Sequence, residues 1–200
     1  MLPILDYPAP ALRAKCAPVP PGPLPAPAVA LLRDLPATLH AKRGLGLAAP
    51  QVGALLRAFV VRTPLGWTAA EAARARAGGA AAASPPATYF TACVNPRIVA
   101  RSQDAALGVE SCLSLEGEAA LVLRALRITA EWEEGGGARA TVRRDLEGLP
   151  AVVFQHELDH LDGVLMVDRE VKVQKREVDA AFAHAEDRFR ALLRRYYARG

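Results

Sequence analysis

The sequence has 200 residues, of which 52% are hydrophobic and 23% are charged, and its net charge is +4. This length fits one domain, and the composition excludes wholesale disorder, which requires low hydrophobicity and high net charge. Three cysteines are too few for a disulfide scaffold, no stretch predicts a membrane-spanning helix, and the modest charge argues against DNA binding.

The first segments of the chain are set by proline, glycine and apolar spacing. Proline-rich residues 2–27 predict an extended segment, and apolar residues at helical spacing predict a helix over residues 26–42. Pro36 is expected to kink this helix, and Gly44 is expected to end it. A strand is predicted next, over residues 55–61.

The middle of the chain contains an alanine-rich segment, residues 63–88, which also carries paired glycines and prolines. This composition predicts an insertion that is helical around residues 69–77 and otherwise a loop. Residues 90–94 are apolar and are followed by Asn95-Pro96, so we expect a strand that stops at a turn there.

The last third of the chain predicts a hairpin and two helices. Residues 127–133 and 138–144 predict two strands, joined by a glycine-rich turn. Pro150 opens a short helix that ends at Gly163, and a long helix follows over residues 168–197. Helices separated from mostly antiparallel strands are typical of an α+β fold.

The sharpest chemical signal lies in the short helix. His156 and His160 are four residues apart and therefore share one helical face, where two imidazoles can bind one divalent metal ion. Glu157 follows the first histidine and can reach a metal-bound water as a general base. Because the chain has only four histidines, we favour a metal site over coincidence.

A third metal ligand is needed, and residue spacing alone leaves it open. The upstream candidate is Cys112, although a lone cysteine is more often a small buried hydrophobe. The downstream candidates are His184, Glu177 and Glu186, all in the predicted long helix.

Three segments in order resemble the motifs of peptide deformylases. Residues 44–51 match a glycine-leucine-alanine-alanine-x-glutamine motif, which alone would indicate only a glycine turn. Residues 110–114 match glutamate-glycine-cysteine-leucine-serine, except that Ser111 replaces glycine. Residues 155–161 match glutamine-histidine-glutamate-x-aspartate-histidine-leucine. The resemblance extends over nearly the whole chain outside the alanine-rich insertion.

This resemblance implies an α+β fold with mostly antiparallel strands around a central metal-binding helix. It also implies one domain over residues 1–200, with an insertion at 63–88 and a C-terminal helix at 168–200. The implied metal ligands are Cys112, His156 and His160, with the fourth position left for water. The implied metal is one Fe²⁺ ion in the cell, which Zn²⁺, Ni²⁺ or Co²⁺ can replace in purified protein.

The implied activity is that of a metal-dependent amide hydrolase that removes the formyl group from the N-terminal formyl-methionine of new polypeptides. The metal-bound water attacks the formyl carbon, and Glu157 serves as general acid and base. The side-chain amide of Gln51 and the backbone N–H of Leu113 stabilise the developing oxyanion.

The resemblance also assigns residues to substrate binding. The peptide is expected to lie as an added strand against Gly46 and the segment around Ser111, with Leu45 lining the methionine pocket. Glu110 belongs to the same group, and its carboxylate is expected to pair with Arg124. If the family's glycine serves a positive φ or close substrate approach, Ser111 is expected to add strain or narrow the groove.

The expected partners are formylated nascent chains, with weak ribosome contact through the arginine-rich C-terminal helix. No DNA or membrane partner is expected, and a monomer is favoured over an oligomer. The expected location is the bacterial cytoplasm, or an organelle if a targeting peptide has been removed.

Two other functions stay open at this point. A zinc endopeptidase would take its third ligand from the downstream helix and cut internal peptide bonds, so Cys112→Ala would spare its metal. A non-catalytic protein with a structural metal would need a fourth protein ligand, for which Cys93 is the available cysteine. Glu157 and Gln51, which such a closed site does not need, argue against it.

Overall fold

The computed structural model describes residues 1–62, 90–134 and 139–171. These residues form two α-helices and seven β-strands, together with three short 3₁₀ turns at Pro10–Arg13, Ala49–Val52 and Met166–Arg169. In chain order the elements are α1 (Ala26–Ala41), β1 (Gly46–Ala48), β2 (Ala58–Arg62), β3 (Phe90–Arg101), β4 (Ala105–Cys112), β5 (Leu115–Ala125), β6 (Arg127–Glu134), β7 (Ala140–Glu147) and α2 (Leu149–Leu161).

The strands form two sheets, and all the pairings between them are antiparallel. A five-stranded sheet has the order β1-β2-β3-β6-β7, and β4 and β5 form a separate two-stranded sheet. The predicted α+β class with mostly antiparallel strands is therefore confirmed. The predicted hairpin is the pair β6 and β7, whose connecting residues 135–138 lie outside the described ranges.

Helix α2 packs on the large sheet through its apolar face. Pro150 stands in the first turn of the helix, and Gly163 follows its end with a φ of 72°, as the sequence predicts. Phe154 is fully buried, with its ring centroid 5.1 Å from that of Phe59 and 5.8 Å from that of Trp132. Burying such a side chain stabilises the fold by roughly 2–3 kcal/mol, so α2 is fixed on the sheet.

A second apolar cluster holds the β4–β5 hairpin, which the sequence did not predict. Its buried members are Leu12, Cys112, Leu115, Ala120, Val122, Leu165 and Met166. This cluster joins the N-terminal 3₁₀ turn, the hairpin and the turn after α2. The end of β4 is therefore positioned by contacts with segments distant in sequence.

Strand β3 does not stop at Asn95-Pro96, so the predicted turn there is wrong. The strand continues to Arg101, and its pairing with β6 shifts between Val94 and Arg97. Asn95 takes a φ of 48°, which asparagine tolerates better than most residues, and its side chain bonds both backbone groups of Val19. The turn signal marks a β-bulge within a longer strand.

Three predicted boundaries also need correction. Helix α1 contains Pro36 but ends at Ala41, and the left-handed residue after it is Arg43, with a φ of 55°, not Gly44. Strand β2 begins at Ala58, three residues later than predicted. The long helix does not begin at Asp168, which lies in a 3₁₀ turn.

The chain after this turn pairs with the small sheet. Glu170 forms an isolated antiparallel bridge with Val122, and the Val171 N–H donates to the carbonyl of Leu121. The rest of the predicted C-terminal helix and the predicted insertion at residues 63–88 lie outside the described residues.

Candidate metal centre and its surroundings

Helix α2 and strand β4 bring three potential metal ligands together. The ligand atoms of Cys112, His156 and His160 all lie within 4.8 Å of one another. The two histidines lie one turn apart on the same face of α2. Cys112 is the last residue of β4, and the pairing with β5 shifts between Ser111 and Cys112. The Sγ atom of Cys112 is 3.3 Å from Nε2 of His160.

The donor atoms and their surroundings fit a metal ion. His156 uses Nδ1 to bond the Oε2 atom of Glu110 at 2.9 Å, which leaves its Nε2 for the cluster. Metal-binding histidines usually engage a carboxylate in this way, because the second bond fixes the ring orientation. A thiol and two imidazoles are ligands suited to iron or zinc.

Glu110 is held in turn by a buried arginine. Arg124 Nε and Nη2 donate to the two carboxylate oxygens of Glu110 at 2.7 and 2.9 Å, and Nη1 donates to Asp159 at 2.5 Å. The side chains of Arg124 and Glu110 are each 6% exposed. Arg169 donates to Asp159 at 2.9 Å from the outer side. The predicted pairing of Glu110 with Arg124 is therefore present.

Burial and charge set the protonation of these groups. Burial raises the pKa of Glu110, but the hydrogen bonds from Arg124 and His156 outweigh it and bring the pKa to about 2. Burial lowers the pKa of His156, but its hydrogen bonds to Cys112 and Glu110 raise it to about 10. Burial holds the pKa of His160 well below its usual value, so this ring is neutral and can offer a lone pair to a metal ion.

Glu157 lies beside the cluster in a buried position. Its side chain comes from the same turn of α2 as His156, and Glu157 is 3% exposed. Its Oε2 atom has no hydrogen-bond partner among the described residues, and neither has Nδ1 of His160. Burial raises the pKa of Glu157 to about 7. A carboxyl group with that pKa can accept or donate a proton near neutrality.

The amide of Gln51 is oriented toward the cluster. Its Oε1 atom accepts from the backbone N–H of Ala48 at 2.8 Å. Its Nε2 atom lies 3.2 Å from the hydroxyl oxygen of Ser114 and 3.6 Å from Sγ of Cys112. The 3₁₀ turn that follows β1 brings Gln51 back over that strand, so the amide direction is fixed by both contacts.

The remaining predicted residues differ in their exposure and contacts. Leu45, Gly46 and Leu113 are half-buried, and Ser111 is exposed. Gly46 begins β1, which is an edge strand of the large sheet. Glu110 differs from the other four, because both of its carboxylate oxygens are already engaged by other side chains.

The serine that departs from the family motif carries no left-handed strain. Among the described non-glycine residues, only Arg43 and Asn95 have a positive φ. Ser111 lies in regular pairing with Ala119, so the expectation of backbone strain at this position is wrong. The Ser111 side chain is exposed.

The alternative ligands do not join the cluster in the described part of the chain. The downstream candidates His184, Glu177 and Glu186 lie outside the described residues. Cys93 is fully buried in the main core, and the group of potential ligands found among residues 1–62, 90–134 and 139–171 does not include it.

Several contacts of the site were missed by sequence reasoning, among them those of Ser114 and Arg169. Ser114 is fully buried and holds the Gln51 amide; its place in the matched motif was the available signal. Arg169 supports Asp159, and no sequence pattern marks it, because the contact joins a helix to a later turn.

Comparison with known proteins decides the family. The family model described as polypeptide deformylase matches residues 1–176. The chain belongs to the peptide deformylase family. A peptide deformylase of Roseiflexus castenholzii is 40% identical over 139 residues, covering 70% of this chain and 71% of that protein. A peptide deformylase of Halothermothrix orenii is 32% identical and covers 82% of this chain and 90% of its own.

Solved deformylases also share the fold. The Thermotoga maritima peptide deformylase superposes with a TM-score of 0.68 at 29% identity, covering 86% of this chain and 99% of that one. A class I type b peptide deformylase of Acinetobacter baumannii bound to Met-Ala-Ser gives a TM-score of 0.66 at 29% identity, covering 84% and 98%. No helix among the described residues is long and apolar enough to cross a membrane.

Family membership makes this chain an enzyme of the peptide deformylase type. Such enzymes are metal-dependent hydrolases that remove N-terminal formyl groups from nascent peptides during protein biosynthesis. The endopeptidase and structural-metal alternatives are disfavoured by this membership.

Proposed function

We propose that this chain removes the formyl group from the N-terminal formyl-methionine of newly made polypeptides by metal-dependent hydrolysis. The observation that carries the proposal is the position of buried Glu157 beside the three converging ligand atoms of Cys112, His156 and His160. Acyl-amide hydrolysis needs an activated water, a proton carrier and oxyanion donors, and this pocket offers a residue for each.

Cys112 Sγ and Nε2 of His156 and His160 are proposed to hold one metal ion, Fe²⁺ in the cell, with Zn²⁺, Ni²⁺ or Co²⁺ as substitutes in purified protein. A metal ion bound there supplies Lewis-acid chemistry, lowering the pKa of water and polarising the formyl carbonyl. Glu110 positions His156 through its bond to Nδ1, and this contact supports a fixed ligand geometry.

Glu157 is proposed to carry the proton. It takes a proton from the attacking water and delivers it to the leaving amine nitrogen, so that the C–N bond breaks with a neutral amine and formic acid as products. The formic acid then loses its remaining proton to solvent and is released as formate. Its burial and the unpartnered Oε2 atom support this role, because a structural carboxylate of this depth would normally be paired.

Gln51 and Leu113 are proposed to stabilise the oxyanion that develops on the formyl oxygen. The Nε2 atom of Gln51 is aimed at the cluster, 3.6 Å from Cys112 Sγ, and the backbone N–H of Leu113 directly follows the ligand Cys112. Removing one such donor typically lowers the rate by about 100- to 1,000-fold.

The formylated peptide is proposed to add as a strand at the edge of β1, next to Gly46 and opposite the Ser111 segment. The free edge of β1 among the described strands supports this mode, and backbone pairing of this kind tolerates varied side chains. Leu45 would line the methionine pocket. The related Acinetobacter enzyme is bound to Met-Ala-Ser, the peptide that remains when formyl-Met-Ala-Ser loses its formyl group.

Several broader features are part of the same proposal. Residues 1–200 would form one domain with an insertion at 63–88, active as a monomer in the bacterial cytoplasm. The arginine-rich sequence after residue 171 would make weak contact with ribosomal RNA.

A substrate panel tests the proposed reaction. Anaerobically purified protein reconstituted with Fe²⁺ is incubated with formyl-Met-Ala-Ser, with acetyl-Met-Ala-Ser and with an unformylated decapeptide. We expect formate from the first peptide and no cleavage of the other two. Internal cleavage of the decapeptide, or no formate release with metal bound, would overturn the proposal.

A further inference from the structure

We infer that Gly46 is a positioning residue for Glu157, because its missing side chain leaves the space that the Glu157 carboxylate occupies. A Cβ atom added at Gly46 would lie 2.3 Å from Oε1, 2.5 Å from Cδ and 2.6 Å from Cγ of Glu157. Carbon and oxygen atoms in contact are ordinarily well over 3 Å apart. The inference rests on the proposed function, in which Gly46 is assigned only to substrate binding, and it gives Gly46 a second role.

The conflict would not be relieved by a small shift of the backbone. Gly46 pairs with Val61 in register, so β1 is held against β2. Helix α2 is held on the sheet by fully buried Phe154 and by Leu158. The overlap includes Cγ as well as the carboxylate, so rotation of the carboxylate alone does not remove it. The Glu157 side chain would have to leave its place.

Space, not backbone conformation, is what requires a glycine here. Gly46 is not among the glycines with positive φ, so its backbone is accessible to alanine. At nearby Gly44 the two closest atoms to an added Cβ would be the δ-carbon ends of Leu39 and Leu113, at 2.7 and 2.9 Å, which belong to flexible side chains. Gly108 offers the matched control: it also lies in a strand without positive φ, and nothing is within 4 Å of its added Cβ.

The first test measures folding and does not depend on activity. The melting temperatures of cobalt-loaded wild type, Gly46→Ala, Glu157→Ala, the double variant and Gly108→Ala are compared. We expect Gly46→Ala to lower the melting temperature by about 5 °C in the wild type. The loss should vanish in the Glu157→Ala background, because truncation of Glu157 removes the three atoms nearest to the new Cβ.

Equal losses in the two backgrounds, or no loss in either, would overturn the inference. If Gly46→Ala alone fails to fold, the double variant decides the matter, since the inference requires that it folds and melts like Glu157→Ala. Gly108→Ala is expected to melt within about 1 °C of the wild type.

The second test separates positioning from substrate contact. With formyl-Met-Ala-Ser, Gly46→Ala should lower kcat at least ~100-fold, with KM changed less than about 3-fold and one metal ion retained per chain. A raised KM with unchanged kcat would assign Gly46 to substrate contact alone. If Glu157→Ala itself were fully active, the proposed function would fail while the melting-temperature coupling still tested the inference.

Discussion

The two sides of the candidate metal site differ in how their polar atoms are satisfied. On the outer side, Glu110, Arg124 and Asp159 form a buried chain in which both carboxylates are paired with the guanidinium. On the inner side, Oε2 of Glu157 and Nδ1 of His160 are buried without a partner in the described residues.

The paired groups therefore differ in role from the unpaired ones. Buried polar atoms normally have a hydrogen-bond partner. Leaving these two atoms without one costs free energy unless another group bonds them. The paired groups hold the His156 ring in place, because Glu110 bonds its Nδ1 atom. In the proposed reaction, the unpaired Oε2 atom of Glu157 belongs to the carboxylate that receives the proton of the attacking water.

The largest effect is expected from a ligand. Cys112→Ala removes the single sulfur atom from the cluster. The variant should therefore lose bound metal and, with it, roughly 1,000-fold or more of its formate-release rate. Metal per chain, measured by elemental analysis after gel filtration, checks this prediction. Cys93→Ala in the apolar core is the matched control and should keep its metal. Full metal content in Cys112→Ala would contradict the assignment of Cys112 and favour a third ligand from the downstream candidates His184, Glu177 and Glu186.

The paired side is tested by Arg124→Met, which leaves Glu110 buried without its cation. We expect about 3–5 kcal/mol lower free energy of unfolding by urea, and about 10- to 100-fold weaker metal binding in chelator competition, because His156 loses its oriented carboxylate.

Arg97→Met supplies the control, since the Arg97 side chain is 70% exposed in its pair with Glu131. Arg97→Met should lower the free energy of unfolding by no more than about 1 kcal/mol and leave metal binding unchanged. Metal binding in Arg124→Met equal to that of Arg97→Met would show that the buried chain stabilises the fold without tuning the ligands.

The smallest effect is expected at Ser114, which holds the Gln51 amide on the inner side. Ser114→Ala removes one hydrogen bond worth about 1 kcal/mol, so kcat should fall about 5-fold with the metal content unchanged. Steady-state kinetics with formyl-Met-Ala-Ser measures the change. In a Gln51→Ala background the same substitution should have no further effect on kcat, and an additive loss would contradict the positioning of Gln51 by Ser114.

Much of the ligand frame could be predicted because it depends on local spacing. One helical turn places His156 and His160 on the same face, and Pro150 and Gly163 mark the ends of that helix. The motif around Cys112 added the third ligand only through a family resemblance, since strand β4 was not predicted and its end is set by tertiary packing.

Contacts between distant segments could not be predicted in the same way. No local sequence pattern places Arg124 and Arg169 beside Asp159, because the three residues come from β5, α2 and the turn after α2. The turn signal at Asn95 was real, but strand pairing on both sides converted it into a bulge. The space that Gly46 leaves for Glu157 depends on the packing of a helix against a strand more than a hundred residues earlier in the chain.

Glu157 is proposed to carry the proton of the reaction but not to bind the metal ion. The most direct measurement is formate release from formyl-Met-Ala-Ser by Fe²⁺-loaded wild type and Glu157→Ala, with metal per chain determined on the same samples. We expect equal metal content and a rate at least ~100-fold lower in the variant. A variant that keeps both its metal and the wild-type rate would contradict it.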